Sequence, residues 1–149
     1  MNTNQSRVFL LADDDRDDAE LFGEALGSLD PPVQLLHVDN GKAVFSVLNE
    51  KTQLKPDIIF LDLNMPELSG WQCLSRLKND IFFKDIPVIM YSTSSNARDR
   101  EIALELGAIG FITKPSNFSS LISLLDNIAT TPPAELKSKV SDLAVRSRF

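Results

Sequence analysis

The sequence predicts a doubly wound α/β domain, a parallel sheet of five strands with five helices covering both its faces. Two observations lead there. Five short apolar runs punctuate the chain, and between them lie stretches whose apolar residues recur at helical spacing. Strand and helix therefore alternate five times, the pattern of a parallel sheet built by right-handed crossovers.

The first run, Val8 to Ala12, is nearly continuously hydrophobic, as are Ile58 to Leu61, Val88 to Tyr91 and Ile109 to Thr113. Such runs fit strands covered on both faces. The second run, Val33 to Val38, is interrupted by polar residues and holds the single histidine, His37, read here as a strand residue and not a catalyst. Phe22, Ala25, Leu26 and Leu29 form the stripe of the first helix, which Pro31-Pro32 should end. Asn40-Gly41 opens a second helix with Val44, Val47 and Leu48 on its stripe. Trp71, Leu74 and Leu77 mark a third. Ile102, Ala103 and Leu106 mark a fourth, closed by Gly107, and Leu121, Leu124, Leu125 and Ile128 mark a fifth, capped by Ser116 or Asn117.

The expected domain boundaries are a disordered N-terminus over 1–6, a domain over 7–130 and a tail over 131–149. After Thr130-Thr131-Pro132-Pro133 the chain turns basic, with Lys137, Lys139, Arg146 and Arg148 against Glu135 and Asp142. Leu136, Val140 and Leu143 could form one apolar stripe, so this tail is either a short extra helix or a frayed end.

A length of 149 residues suits one domain with a core of its own. The net charge of −6 argues against a nucleic-acid partner, which requires a positive footprint. No run approaches the roughly 18 apolar residues that span a bilayer, and Met1 to Ser6 does not resemble a signal peptide. A cytoplasmic protein without a membrane partner is expected. Cys73, the one cysteine, reads as a small buried hydrophobe.

In a doubly wound sheet, ligands bind beyond the carboxyl ends of the strands. Asp13-Asp14-Asp15 follows the first strand, Asp62 the third, Ser92-Thr93 the fourth and Lys114 the fifth. Asp15, Asp17 and Asp18 read as a solvated helix start opposing the helix dipole. Asp13, Asp14 and Asp62 differ, because they converge at buried strand ends. Two carboxylates about 4 Å apart repel by about 4 kcal/mol at an effective dielectric of about 20. Three such groups need a cation or protons. An oxygen-only site suits Mg²⁺, which commonly pairs one or two carboxylates with phosphate oxygens. Phosphoryl transfer then needs positive charge and donors around the moving oxygens, which Lys114 and the Ser92 hydroxyl can supply, leaving Asp62 as nucleophile.

Four segments now carry a resemblance: Phe9 to Asp15, Ile59 to Gly70, Met90 to Thr93 and Phe111 to Pro115. Together they resemble the receiver domains of two-component response regulators, stand-alone and chemotaxis-regulator-like, over about Arg7 to Ala129. The resemblance implies a flavodoxin-like sheet of order 2-1-3-4-5, with Asp62 as phosphoacceptor. It implies Mg²⁺ held by Asp14, Asp62 and the backbone carbonyl of Asn64, with Asp13 acting through water. Ser92 matches the family's switch hydroxyl, Phe111 its switch aromatic and Lys114 its phosphate-pairing lysine, while Lys114-Pro115 resembles its cis peptide bond. Ser92 lacks threonine's methyl and Phe111 lacks tyrosine's hydroxyl. Asn79 to Pro87 looks like the same stretch of stand-alone regulators, some of them paired with phytochrome-type kinases.

By the same resemblance the partner is a sensor histidine kinase or phosphotransfer protein. The chain would catalyse only its own phosphorylation and dephosphorylation. Output is expected through protein contacts, including a homodimer through the fourth helix, fifth strand and fifth helix. Two alternatives compete. A haloacid-dehalogenase-like phosphatase would use Asp13 as nucleophile but leaves the Asp62 segment unexplained. A receiver-like binding module would lack phosphorylation, yet every residue whose loss would signal it is present.

Overall fold

The computed structural model describes residues 7–50 and 55–146. The segment 1–6, expected to be disordered, lies outside them. Five parallel strands, β1 (Val8–Ala12), β2 (Gln34–Val38), β3 (Ile58–Leu61), β4 (Val88–Ser92) and β5 (Gly110–Thr113), form one sheet in the order β2-β1-β3-β4-β5. The helices between them are α1 (Arg16–Gly27), α2 (Gly41–Leu48), α3 (Gly70–Lys78), α4 (Ala97–Glu105) and α5 (Phe118–Ala129). A 3₁₀ turn, Pro133–Glu135, leads into a further helix, α6 (Leu136–Arg146).

Each central strand feeds two cores, because successive side chains leave opposite faces of the sheet. Phe9, Leu11, Ile58, Phe60, Ile89, Tyr91 and Ile112 pack with α1, α5 and α6, whereas Leu10, Ala12, Ile59, Leu61, Val88, Met90 and Phe111 pack with α2, α3 and α4. In the first core Phe22 meets Phe60 and Tyr91 edge-on at centroid distances of 5.1 and 5.4 Å, geometry that aromatic quadrupoles favour. Strand β2 is the half-exposed edge, which accounts for its interrupted apolar pattern.

Local chemistry sets the helix boundaries. Asp15 caps α1 by accepting from the amide of Asp18 (3.1 Å), Asn40 caps α2 and Asn117 caps α5. Ser69 and Gln72 form a reciprocal capping box on α3. Helix α1 stops at Gly27, before Pro31-Pro32, so Leu29 joins the core from the connection instead of the helix. Gly107, at φ +104°, turns the chain away after α4 as expected.

The tail forms a sixth helix, the first of the two forms expected for it. Leu136, Val140 and Leu143 are all buried, and α6 packs along β5, the other sheet edge. Contact is close enough that a side chain at Gly110 would collide with Val140. An open strand edge exposes unpaired backbone groups, and covering it removes that hazard. Lys114-Pro115, expected to be cis, is not: the cis bond among the described residues is Asp30-Pro31. Lys114 reaches its carboxylate partners without a cis bond after it.

Candidate functional site

The carboxyl ends of β1, β3, β4 and β5 converge on an acidic pocket. The amide of Asp13 continues the sheet ladder to the Val38 carbonyl (3.0 Å), and the amide of Asp62 donates to the Ala12 carbonyl (3.0 Å). Both backbones are thus fixed by the sheet. The His37 ring Nε2 donates to the Asp13 carbonyl (2.9 Å), so this strand residue braces the pocket from the edge strand. The amide of Lys114 donates to the Ser92 carbonyl (2.8 Å), which locks the ends of β4 and β5 together.

The loop after β3 is folded tightly beneath Asp62. The amide of Gly70 donates to the Leu63 carbonyl (2.8 Å), and a Cβ at Gly70 would strike the Asp62 carbonyl. Only glycine allows α3 to begin so close to the pocket floor. Glu67 holds a left-handed φ of +72° in this loop, where the Leu68 amide donates back to the Pro66 carbonyl (2.8 Å). Such a conformation costs a non-glycine residue about 1 kcal/mol.

One carboxylate oxygen from each of Asp13, Asp14 and Asp62 lies within 4.8 Å of the others, an arrangement able to hold a metal ion. Asp13 is fully buried, Asp62 largely so and Asp14 exposed. Asp13 Oδ1 accepts from the Asp15 amide (2.9 Å) and Asp62 Oδ1 from the Leu63 amide (2.8 Å). Lys114 Nζ stands 2.7 Å from Asp13 Oδ2, 2.8 Å from Asp18 Oδ2 and 3.9 Å from Asp62 Oδ2. Its contact with Asp13 is a close, buried ion pair, and Asp13 Oδ2 accepts from no other group among the described residues. A buried anionic oxygen with unused acceptor capacity is a suitable cation ligand, and the all-oxygen donor set fits Mg²⁺.

Charges in the pocket shift one another. Burial pushes the Asp62 carboxyl up to about 6; Asp13 adds to the rise and Lys114 opposes it. Burial alone would pull the Lys114 ammonium down, but Asp13 and Asp18 reverse that and push it up to about 12. The lysine is therefore firmly charged near neutrality, while Asp62 is neutralised more easily than an ordinary carboxylate.

The remaining sequence-predicted residues are placed less directly. Ser92 is buried at the end of β4, its hydroxyl accepting from the Ser94 amide (3.3 Å). Asn64 is exposed in the loop after β3. Phe111 is only 2% exposed, already turned into the core on β5. The sequence reading missed Asp18, assigning it to the solvated helix start. Its signal was the spacing: Asp18 lies four residues before Phe22, one turn above the buried stripe of α1, and so faces Lys114.

Comparison with known proteins adds an independent finding. Residues 9–126 match the family described as the response regulator receiver domain. The response regulator Rcp1 of Synechocystis sp. (strain PCC 6803) is 29% identical over 130 residues, covering 85% of this chain and 88% of that protein. The crystal structure of the phosphorylated cyanobacterial phytochrome response regulator RcpA superposes with a TM-score of 0.76 at 31% identity, covering 83% of this chain and 91% of RcpA. The crystal structure of the Mn²⁺-bound form of Rcp1 gives 0.75 at 28% identity, covering 85% and 96%. The phosphatase reading loses its footing on both counts, since its nucleophile would be Asp13, which is buried and paired with Lys114. Geometry at the strand ends and likeness along the chain agree, and the chain belongs to the response regulator receiver domain family of two-component signalling.

Proposed function

We propose that Asp62 accepts a phosphoryl group from a phosphorylated histidine of a sensor kinase or phosphotransfer protein, and that the modified chain signals through protein contacts. The observation that carries this reading is the setting of Asp62 Oδ2. It lies 3.9 Å from Lys114, just beyond hydrogen-bond reach, on a side chain that is 13% exposed and clustered with Asp13 and Asp14. In the transfer, that oxygen attacks phosphorus and the bond to the donor nitrogen breaks, the electron pair leaving with the imidazole. Lys114 and the Ser92 hydroxyl then hold phosphoryl oxygens, while Asp14, Asp62 and the Asn64 carbonyl, with Asp13 acting through water, would hold Mg²⁺. The ion supplies charge neutralisation at the transferring group.

The receiver unit runs over 7–130, and α6 is an added cover on it. A homodimer through α4, β5 and α5 would have to accommodate or displace α6, which occupies the β5 edge. Among the described residues no helix is long and apolar enough to cross a membrane, and a cytoplasmic setting suits the proposed partner.

Labelling by acetyl phosphate, a small donor that needs no kinase, tests the reading. The chain should take up phosphate only with Mg²⁺ present, and Asp62→Asn should abolish uptake. Undiminished labelling of Asp62→Asn would overturn the assignment.

A further inference from the structure

Arg100 is an unusual residue for its position. It lies on α4 three residues before the buried Ala103, so its side chain is directed inward, and it is only 8% exposed. Its guanidinium sits over the Phe111 ring, 5.5 Å from the centroid, and donates to the Phe111 carbonyl (3.4 Å) and to the Thr113 hydroxyl (3.2 Å). Burying so polar a group is unfavourable unless its donors are used, and two of its hydrogen bonds go to β5.

The Thr113 hydroxyl passes the connection on. It donates to the Ser94 carbonyl (2.9 Å), in the loop that joins β4 to α4. Ser94 is a junction: its amide donates to the Ser92 hydroxyl (3.3 Å), and its own hydroxyl donates to Asp99 on α4 (2.8 Å). A continuous hydrogen-bonded path thus runs from the Ser92 hydroxyl through Ser94, Thr113 and Arg100 to Phe111. Every link is made by a named donor, and the path joins the pocket to both α4 and β5.

From this path we infer that Arg100 and Thr113 are positioning residues that transmit the state of the Ser92 hydroxyl to Phe111 and α4. The inference rests on the proposed phosphorylation at Asp62. When the Ser92 hydroxyl turns toward a phosphoryl oxygen, it gives up the Ser94 amide. Ser94 then moves, and the Thr113 hydroxyl, fixed between the Ser94 carbonyl and the Arg100 guanidinium, must realign. Arg100 follows and changes its hold on the Phe111 ring, to which cation–π attraction ties it. Neither Arg100 nor Thr113 belongs to the cluster of Asp13, Asp14 and Asp62, so the relay separates transmission from phosphoryl chemistry.

The test uses the full chain with Mg²⁺ and beryllofluoride, a phosphoryl mimic, and reads amide exchange over residues 97–105 and 110–113. Thr113→Val keeps the side-chain shape and removes the hydroxyl; Thr113→Ser restores it. Arg100→Met removes the donors at similar length. In the parent chain, beryllofluoride should change exchange in both segments. Thr113→Val and Arg100→Met should bind beryllofluoride within about tenfold of the parent affinity, the usual size of a coupling between sites, yet lose the exchange response. Thr113→Ser should recover it, which a merely structural role would not require, and thermal melts confirm that each variant is folded. A full response in folded Thr113→Val overturns the relay, as does loss of beryllofluoride binding in that variant. Failure of the parent chain to bind beryllofluoride overturns the receiver reading itself, and is seen without any variant.

Discussion

Lys114 stands between carboxylates that differ in burial, and its substitution should expose that difference. Removing it leaves Asp13, with no solvent exposure, without its cation, and breaking a buried pair in this way costs about 3 kcal/mol. Lys114→Met should therefore melt well below the parent chain in chelator and regain part of the loss with Mg²⁺, whose charge can replace the ammonium. A melt in chelator equal to the parent's would show that the pair is dispensable. Asp62 gives a second prediction at this scale. Its carboxyl is raised in the folded state, so between the unfolded value near 3.8 and the folded value of about 6 the native protein binds the extra proton. Stability from this group is present at low pH and lost as pH rises through about 6. In chelator at pH 7, Asp62→Asn should stabilise the fold by about 1–2 kcal/mol, because each tenfold change in proton affinity between the folded and unfolded chains corresponds to about 1.4 kcal/mol and Asp13 shares in the effect. The gain should shrink at pH 4, and urea titrations at the two pH values read it directly.

Elements convert these side chains into a site, and the connection from β3 to α3 does so under the tightest steric limits. Gly70→Ala would drive a methyl into the Asp62 carbonyl and the Leu63 backbone, where no flexible side chain can yield. Overpacking of this kind costs about 1–3 kcal/mol, and the backbone shift would displace the acceptor itself. Acetyl-phosphate labelling of Gly70→Ala should fall at least as steeply as its stability; unchanged labelling would mean the loop does not position Asp62. Legibility at this scale follows burial. Apolar runs revealed β1, β3, β4 and β5 because both of their faces are covered, and β2 was weaker because it is half-exposed. Asn40, Asn117 and Gly107 were readable because capping is local chemistry. Asp18 and Arg100 were not, because acidic and basic residues on a helix default to solvent unless their register against the buried stripe is followed. Phe111, which the resemblance marks as the switch aromatic, lies in the core under Arg100.

At the scale of the whole molecule, the parallel sheet followed from alternation, its strand order from the family resemblance, and the convergence of Asp13, Asp14, Asp62 and Lys114 from their places at the strand ends. The fate of the tail did not. Its three apolar residues could as well have frayed, and only the uncovered edge of β5, a tertiary fact, gives them a place to bury. Burying Leu136, Val140 and Leu143 is worth about 1.5–3 kcal/mol each before the entropy of ordering α6 is subtracted. A chain ending at Thr130 should therefore melt at lower temperature than the full chain and self-associate more, its β5 edge being open to pairing. Sedimentation and thermal melts of the two forms check this; matching behaviour would make α6 an ornament on the fold. The pocket lies at the opposite end of β5 from Gly110, so the truncated chain should keep its phosphoryl chemistry. That chemistry is the central claim, and the most direct measurement is the position of the phosphoryl group. The chain is treated with acetyl phosphate and Mg²⁺, the acyl phosphate is reduced with borohydride, and peptides are mapped by mass. The modification should fall on Asp62 alone. Modification at Asp13, or at no aspartate of the pocket, would contradict it.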